Sequence, residues 1–258
     1  MVDYLGYLSE NASTNHLRNS TMVGATVGVI GSGGAFPTNW SQTYAASLDT
    51  EIVATGQVDG KDYIDVRLFG TPGASLVWNL EMETLTQIAA LTGQEWVVSS
   101  EVSIVGGDIT NIRRIRYDGV EVNGGGTPFS VRQGADFKSD ITSDLQHFEQ
   151  SFELAGGGST AYFSPELIIL ADIPSSPVDL TLRLTLPQVE MRSAATSFIP
   201  TSTAAATRAK DSAIVDMTTI LSFSPVTGTL LINFKRRTGV DYESVAIQID
   251  DGTDDNAV

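Results

Sequence analysis

Residues 180–186 read Leu-Thr-Leu-Arg-Leu-Thr-Leu, LTLRLTL, and their alternation decides the fold class. Successive side chains of a β-strand point to opposite faces. Leu180, Leu182, Leu184 and Leu186 therefore share one face, and Thr181, Arg183 and Thr185 share the other. This is the pattern of a strand half-buried in an antiparallel sheet. Working outward, HFEQSFEL at 147–154 sets Phe148, Phe152 and Leu154, with Gln150, against His147, Glu149, Ser151 and Glu153. DYIDVRLFG at 62–70 sets Ile64, Val66 and Leu68 against Asp65 and Arg67, and Trp96 and Val98 begin another strand.

Turn chemistry punctuates these runs: GSGGAFPTN at 31–39, GTPG at 70–73, VNGGGTP at 122–128, AGGGS at 155–159 and IPSSP at 173–177. METLTQIAALTG at 82–93 is the one plausible short helix, or a loop with one helical turn. Many short strands with frequent turns predict an all-β sandwich rather than an α/β enzyme fold. Further on, GTLLINFKRR at 228–237 and SVAIQIDDG at 244–252 alternate again. A lone hairpin is marginal in water, so these strands need the main domain, a partner chain or further sequence.

The chain has 258 residues, 41% hydrophobic and 18% charged, enough for one large β domain or a domain with an appendage. A formal net charge of −16 disfavours nucleic acid and anionic lipid as partners and suits divalent cations or a neutral polymer. Cys is absent, which excludes disulfides, thiolate zinc sites and cysteine nucleophiles, and only His16 and His147 occur. The opening MVDYLGYLSENASTNH lacks the basic and apolar regions of a signal peptide, and no apolar run reaches the roughly 20 residues of a membrane span. Neither membrane insertion nor Sec export is expected.

Four groups of residues invite a functional reading. The glycine runs lack the Lys-Ser/Thr of a phosphate loop, and no G-x-S-x-G elbow is present. Paired carboxylates could serve a glycosidase, but Asp65, Glu149 and Glu153 fall opposite apolar stripes and read as solvated. DDGTDDN at 250–256 concentrates Asp250, Asp251, Asp254 and Asp255 on a turn, a calcium candidate without EF-hand register whose alternative is a solvated hairpin tip. Arg113, Arg114 and Arg116, with Lys235, Arg236 and Arg237, are expected to pair locally with carboxylates or to meet an acidic neighbouring protein.

Flat rings stack on the apolar faces of sugars, so Trp40, Tyr44, Trp78 and Tyr117 are the carbohydrate candidates, with core packing as the competing role for each. Trp40, after Pro37-Thr38-Asn39, and Trp78, near a Gly/Pro turn, are better placed for exposure than Trp96, which is expected to be core, although core packing is the favoured role for any one of these rings. Tyr4, Leu5, Tyr7 and Leu8 are the apolar cluster of a polar N-terminal arm, either frayed or docked on a neighbouring subunit.

RNSTMVGATVGVIGSGGAFPTNW at 18–40, GQEW at 93–96, LTLRLTLPQVEM at 180–191 and ATSFIPTSTAAATRAKD at 195–211 together resemble a group of tailed-phage and prophage virion proteins. In that group a carbohydrate-binding-module-like jelly roll opens and closes with similar phrases, and a concanavalin-A-like sandwich often follows. The resemblance implies an arm at 1–20, a jelly roll at 21–192, a semi-rigid joint at 193–216 and a C-terminal β segment at 217–258. That segment is a hairpin or the start of a second sandwich. It further implies a non-catalytic fibre, spike or decoration protein at the particle surface, an oligomer and most plausibly a trimer, whose partners are other virion proteins and host-surface glycan. A polysaccharide depolymerase or glycoside hydrolase accessory module, and a purely structural decoration or tail-adaptor subunit, are the alternatives. No cofactor is expected other than calcium.

Overall fold

The structure is a computed structural model that describes residues 10–211. Residues Ser13–Arg208 carry the fold. The described residues flanking them, 10–12 and 209–211, are joined to one another where the Asp211 N–H donates to the Glu10 carbonyl at 2.9 Å. Among the described residues fourteen strands occur in this order: β1 (Ser13–Asn15), β2 (Gly28–Ile30), β3 (Gly33–Gly34), β4 (Asp49–Val58), β5 (Lys61–Gly70), β6 (Val77–Glu81) and β7 (Ile88–Ala89). There follow β8 (Glu95–Gly107), β9 (Ile112–Asn123), β10 (Pro128–Gln133), β11 (Gln146–Glu153), β12 (Thr160–Ala171), β13 (Val178–Glu190) and β14 (Ala206–Arg208).

The larger sheet runs β11-β8-β13-β5-β4-β2-β3 and the smaller β10-β9-β12-β6, with β7 also on β12. Apart from the short β2–β3 contact, every pairing in them is antiparallel. The chain changes sheet after β5, β7, β8, β10, β11 and β12, and the last long strand, β13, lies between β5 and β8. That winding is a jelly-roll sandwich. LTLRLTL is thus the middle of a central strand, which is why its leucine face is so regular. Leu180, Leu182 and Leu184 are buried against the other sheet. The alternation ends at Leu186, which has φ +53° where the ladder to β8 shifts register between Thr185 and Gln188.

Aromatic side chains fill the space between the sheets. Trp96 of β8 stacks on Phe163 of β12 at 5.5 Å between centroids, and Phe137 stacks on Phe148 at 4.4 Å. Buried polar atoms are matched across the gap: the Tyr117 hydroxyl bonds Ser100 Oγ at 2.5 Å, and Trp78 Nε1 donates to Thr50 Oγ1 at 3.0 Å. Gly119 permits this closeness, since a Cβ there would sit 2.6 Å from the Phe163 ring.

The two end phrases meet. β1 pairs with β14, Ser13 opposite Arg208 and Asn15 opposite Ala206. Asn15, fully buried, donates through Nδ2 to the carbonyls of Ile199 (2.9 Å) and Pro187 (3.3 Å). Its Oδ1 accepts from the N–H groups of Val189 (3.1 Å) and Leu17 (3.2 Å). Thr201 and Ser20 bond each other through backbone and hydroxyl. The jelly roll therefore includes residues 13–20, expected as arm, and 193–208, expected as joint. No helix forms at 82–93: Ile88 and Ala89 pair with Phe163 and Tyr162 instead, because Ile88 gains a core position there. The C-terminal segment at 217–258 lies outside the described residues. Among those described, no helix is long and apolar enough to cross a membrane.

Candidate functional site

The outer faces of the two sheets treat their charges differently. On the larger sheet the ion pairs are closed. Arg183 of β13 holds Asp65 of β5 through two bonds of 2.8 Å and lies 3.8 Å over the Tyr63 ring. Arg67 holds Asp179 likewise through two bonds of 2.8 Å, with its guanidinium 4.6 Å from the Phe69 centroid, and Lys61 bonds Glu101. Asp65, expected to be solvated, is buried beneath its arginine. A bare carboxylate between two long strands would lose its hydration without replacement.

On the smaller sheet, antiparallel register places Glu81 of β6, Glu166 of β12 and Asp118 of β9 directly opposite one another across three strands. In the adjoining rows stand Asn79 opposite Ile168 opposite Arg116, and Ser164 opposite Val120. These side chains face away from the core, because their strand neighbours Leu80, Phe163, Leu167, Ile169, Ile115 and Tyr117 face into it. Two of the three carboxylates are anchored. Glu81 accepts from Ser41 Oγ at 2.6 Å and from the Thr43 hydroxyl, on a segment running along the free edge of β6. Asp118 is gripped by Arg116 at 2.8 and 3.0 Å, although burial outweighs this pairing and raises its carboxyl above the ordinary range.

Glu166 has no such anchor. Burial first, and then the facing Glu81 and Asp118, push its carboxyl from the ordinary 4.5 up to about 7. Asn79 Nδ2 stands close enough to favour the charged form, yet meets no hydrogen-bond geometry with any group. The Asn79 carboxamide cannot turn to help, because its Oδ1 already accepts from the N–H groups of Thr43 (3.0 Å) and Tyr44 (2.7 Å). Ser164 Oγ is also buried without a partner. Each unsatisfied buried polar group costs about 1–3 kcal/mol, and here two lie beside a carboxyl pushed toward its neutral form. Asn79 and Ser164 are fully buried and Glu166 nearly so, which makes this row a buried polar cluster that reaches solvent only at its edge.

Of the four aromatic candidates, Tyr44 alone adjoins this row. It is 57% exposed, and its carbonyl accepts from the Asn79 N–H at 3.1 Å. The other three are corrected: Trp78 and Tyr117 are each 1% exposed and Trp40 is 7% exposed, so their rings offer no face to a ligand. Trp78 and Tyr117 fall on inward positions of β6 and β9, and Trp40 Nε1 donates to the Asn19 carbonyl at 3.2 Å beneath the end segments. Trp96 is core, as expected. Arg116 pairs locally, whereas Arg113 and Arg114 are exposed. Tyr4, Leu5, Tyr7 and Leu8, together with Asp250, Asp251, Asp254 and Asp255, lie outside the described residues. Among those described, no group of three or more His, Cys, Asp or Glu could hold a metal ion.

Sequence reasoning missed Asn79, Glu81, Ser164 and Glu166. The available signal was a Glu at the start of the apolar run in SPELIILA, 164–171, where a solvated acid is out of place.

No protein-family model matches the chain, and no curated protein matches it. Several solved structures are similar in fold. The CBM22-1 xylan-binding domain of Paenibacillus barcinonensis Xyn10C aligns over 73% of this chain and all of that one, at 11% identity and TM-score 0.41. A Stig cyclase, Fisc, from Fischerella sp. TAU aligns over 70% of this chain and 98% of that one, at 11% identity and TM-score 0.43. The enzymatically active domain of tailspike protein 4 from bacteriophage CBA120 aligns over 59% of this chain and 19% of that one, at 9% identity and TM-score 0.34. These likenesses carry neither ligand nor activity to this chain. Its class, an all-β jelly-roll sandwich, rests on its own strand order.

Proposed function

We propose that this protein is a non-catalytic surface component of a tailed-phage or phage-like particle, of fibre, spike or decoration type, whose jelly roll binds carbohydrate at the exposed edge beside β6. The observation that carries the binding reading is Tyr44, 57% exposed on the segment along the free edge of β6, with its carbonyl accepting from the Asn79 N–H. Sugars lay an apolar C–H face on such a ring. The virion reading rests on the resemblance of the opening and closing phrases to those of phage virion proteins. Weak single-site affinity would be offset by several linked copies, so an oligomer is expected, with a trimer favoured.

Reconstruction of an intact particle with this protein located at its surface supports the virion role, and its absence from purified particles refutes it. Binding of the purified chain to host-surface polysaccharide, reduced by Tyr44→Ala, supports the carbohydrate role. Reducing-end release by the purified chain would instead establish a depolymerase.

A further inference from the structure

The structure assigns Asn123 as a site of spontaneous covalent modification, where the chain closes on itself through the Gly124 nitrogen, releases ammonia and reopens as aspartate or isoaspartate. Asn123 ends β9, and the turn at 123–127 leads into the edge strand β10. The Asn123 N–H donates to the Thr127 carbonyl at 3.0 Å and the Gly126 N–H to the Asn123 carbonyl at 2.9 Å, with Gly126 at φ +78°. The side chain is held in one pose, because Oδ1 accepts from the N–H groups of Gly125 (2.9 Å) and Thr127 (3.0 Å). Two donors on one carbonyl oxygen stabilise the negative charge that develops there when Cγ is attacked. The attacking Gly124 N–H and the leaving Asn123 Nδ2 take part in no hydrogen bond among the described residues. Ring closure therefore needs only the Asn123–Gly124 peptide plane to turn, which gives up the bond from the Gly126 N–H.

The step balances with water as its one co-reactant. The Gly124 nitrogen bonds to Cγ, the Cγ–Nδ2 bond breaks, and the Gly124 proton departs with Nδ2 as ammonia, leaving a cyclic imide. Water opens the imide at Cγ to give aspartate, or at the main-chain carbonyl to give isoaspartate. Asn123 is singled out for this chemistry. The sequence holds no other Asn-Gly pair. Asn15, Asn19 and Asn111 each precede a residue with a side chain and use Nδ2 as a donor to backbone carbonyls. Gly124 is exposed, and nothing lies within 4 Å of where a Cβ would be. The two products differ in consequence. Aspartate keeps an oxygen for the Gly125 and Thr127 N–H groups, whereas isoaspartate runs the main chain through Cγ, adds a methylene between β9 and β10 and withdraws that acceptor. Among the described residues β10 pairs with β9 alone, so the isoaspartate form holds this strand less firmly.

The test incubates the whole folded chain in warm buffer at pH 8, beside the same chain unfolded in urea, and maps both by trypsin and mass spectrometry. The tryptic fragment 117–132 carries Asn123 and no other asparagine. In the folded chain the mass gain of an amide-to-acid conversion should appear in this fragment before any other, with isoaspartate exceeding aspartate. Gly124→Ala should slow it at least tenfold, since a Cβ on the attacking residue hinders ring closure. That variant folds, because Gly124 is not in the left-handed region and the added carbon meets nothing. Hydrogen exchange over 128–133 should be faster in the aged protein than in Asn123→Asp, which supplies the charge without the extra methylene. Asn123 left intact in the folded chain while the unfolded chain converts would overturn the assignment, by showing that the turn protects it. Conversion untouched by Gly124→Ala overturns the ring closure, and earlier conversion at another asparagine overturns the selectivity. Equal exchange in the aged protein and Asn123→Asp overturns the loosening of β10.

Discussion

Replacing Glu166 by Gln should make the protein more stable at pH 8 and remove part of its pH dependence. The native chain holds the Glu166 proton up to about 7, whereas an ordinary glutamate releases it near 4.5. Between those values the folded state binds more protons than the unfolded state, so stability falls as pH rises through the window. The contribution is fully present below 4.5 and lost above about 7. At about 1.4 kcal/mol per pH unit, that interval corresponds to about 3 kcal/mol. Glu166 is 9% exposed, so solvent screening takes little of this away. Denaturant unfolding of wild type and Glu166→Gln at pH 5, 6, 7 and 8 measures the difference directly. The variant's advantage should grow by about 2–3 kcal/mol from pH 5 to pH 8, while Asp118, common to both proteins, cancels in the comparison. Parallel profiles, differing by a constant amount across this range, would refute the argument that Glu81 and Asp118 crowd a buried acid.

Other consequences follow from particular contacts. Asn15→Ala strands two carbonyls and two N–H groups in a buried setting and should cost about 3 kcal/mol, or about 6–12 °C in Tm for a domain this size; calorimetry checks it. Trp78→Ala should cost about 3–5 kcal/mol by opening a core cavity, whereas Tyr44→Ala should stay within about 0.5 kcal/mol of wild type while weakening polysaccharide binding. Arg183→Ala leaves Asp65 buried without its partner and should destabilise by about 3 kcal/mol; the double variant with Asp65→Asn recovers much of that if the uncompensated charge is the cause.

The sequence alone determined that the chain is all-β, that Leu180, Leu182, Leu184, Ile64, Val66 and Leu68 face a core, and where turns interrupt the strands. These are local properties: a period of two and the chemistry of Gly, Pro, Asn and Asp are written along a single strand or loop. The opening and closing phrases also singled out the segments that meet around Asn15, although as arm and joint rather than as parts of the domain. Only the tertiary structure decided which aromatic rings are free. Trp78 lies near a Gly/Pro turn in sequence, yet its position on β6 points it inward, and exposure depends on what the opposite sheet supplies. Tertiary structure likewise decided the candidate site. Glu81, Asp118 and Glu166 are separated by 37 and 48 residues and become neighbours through strand register alone. No local pattern encodes that register, because it is set by the winding of the whole jelly roll.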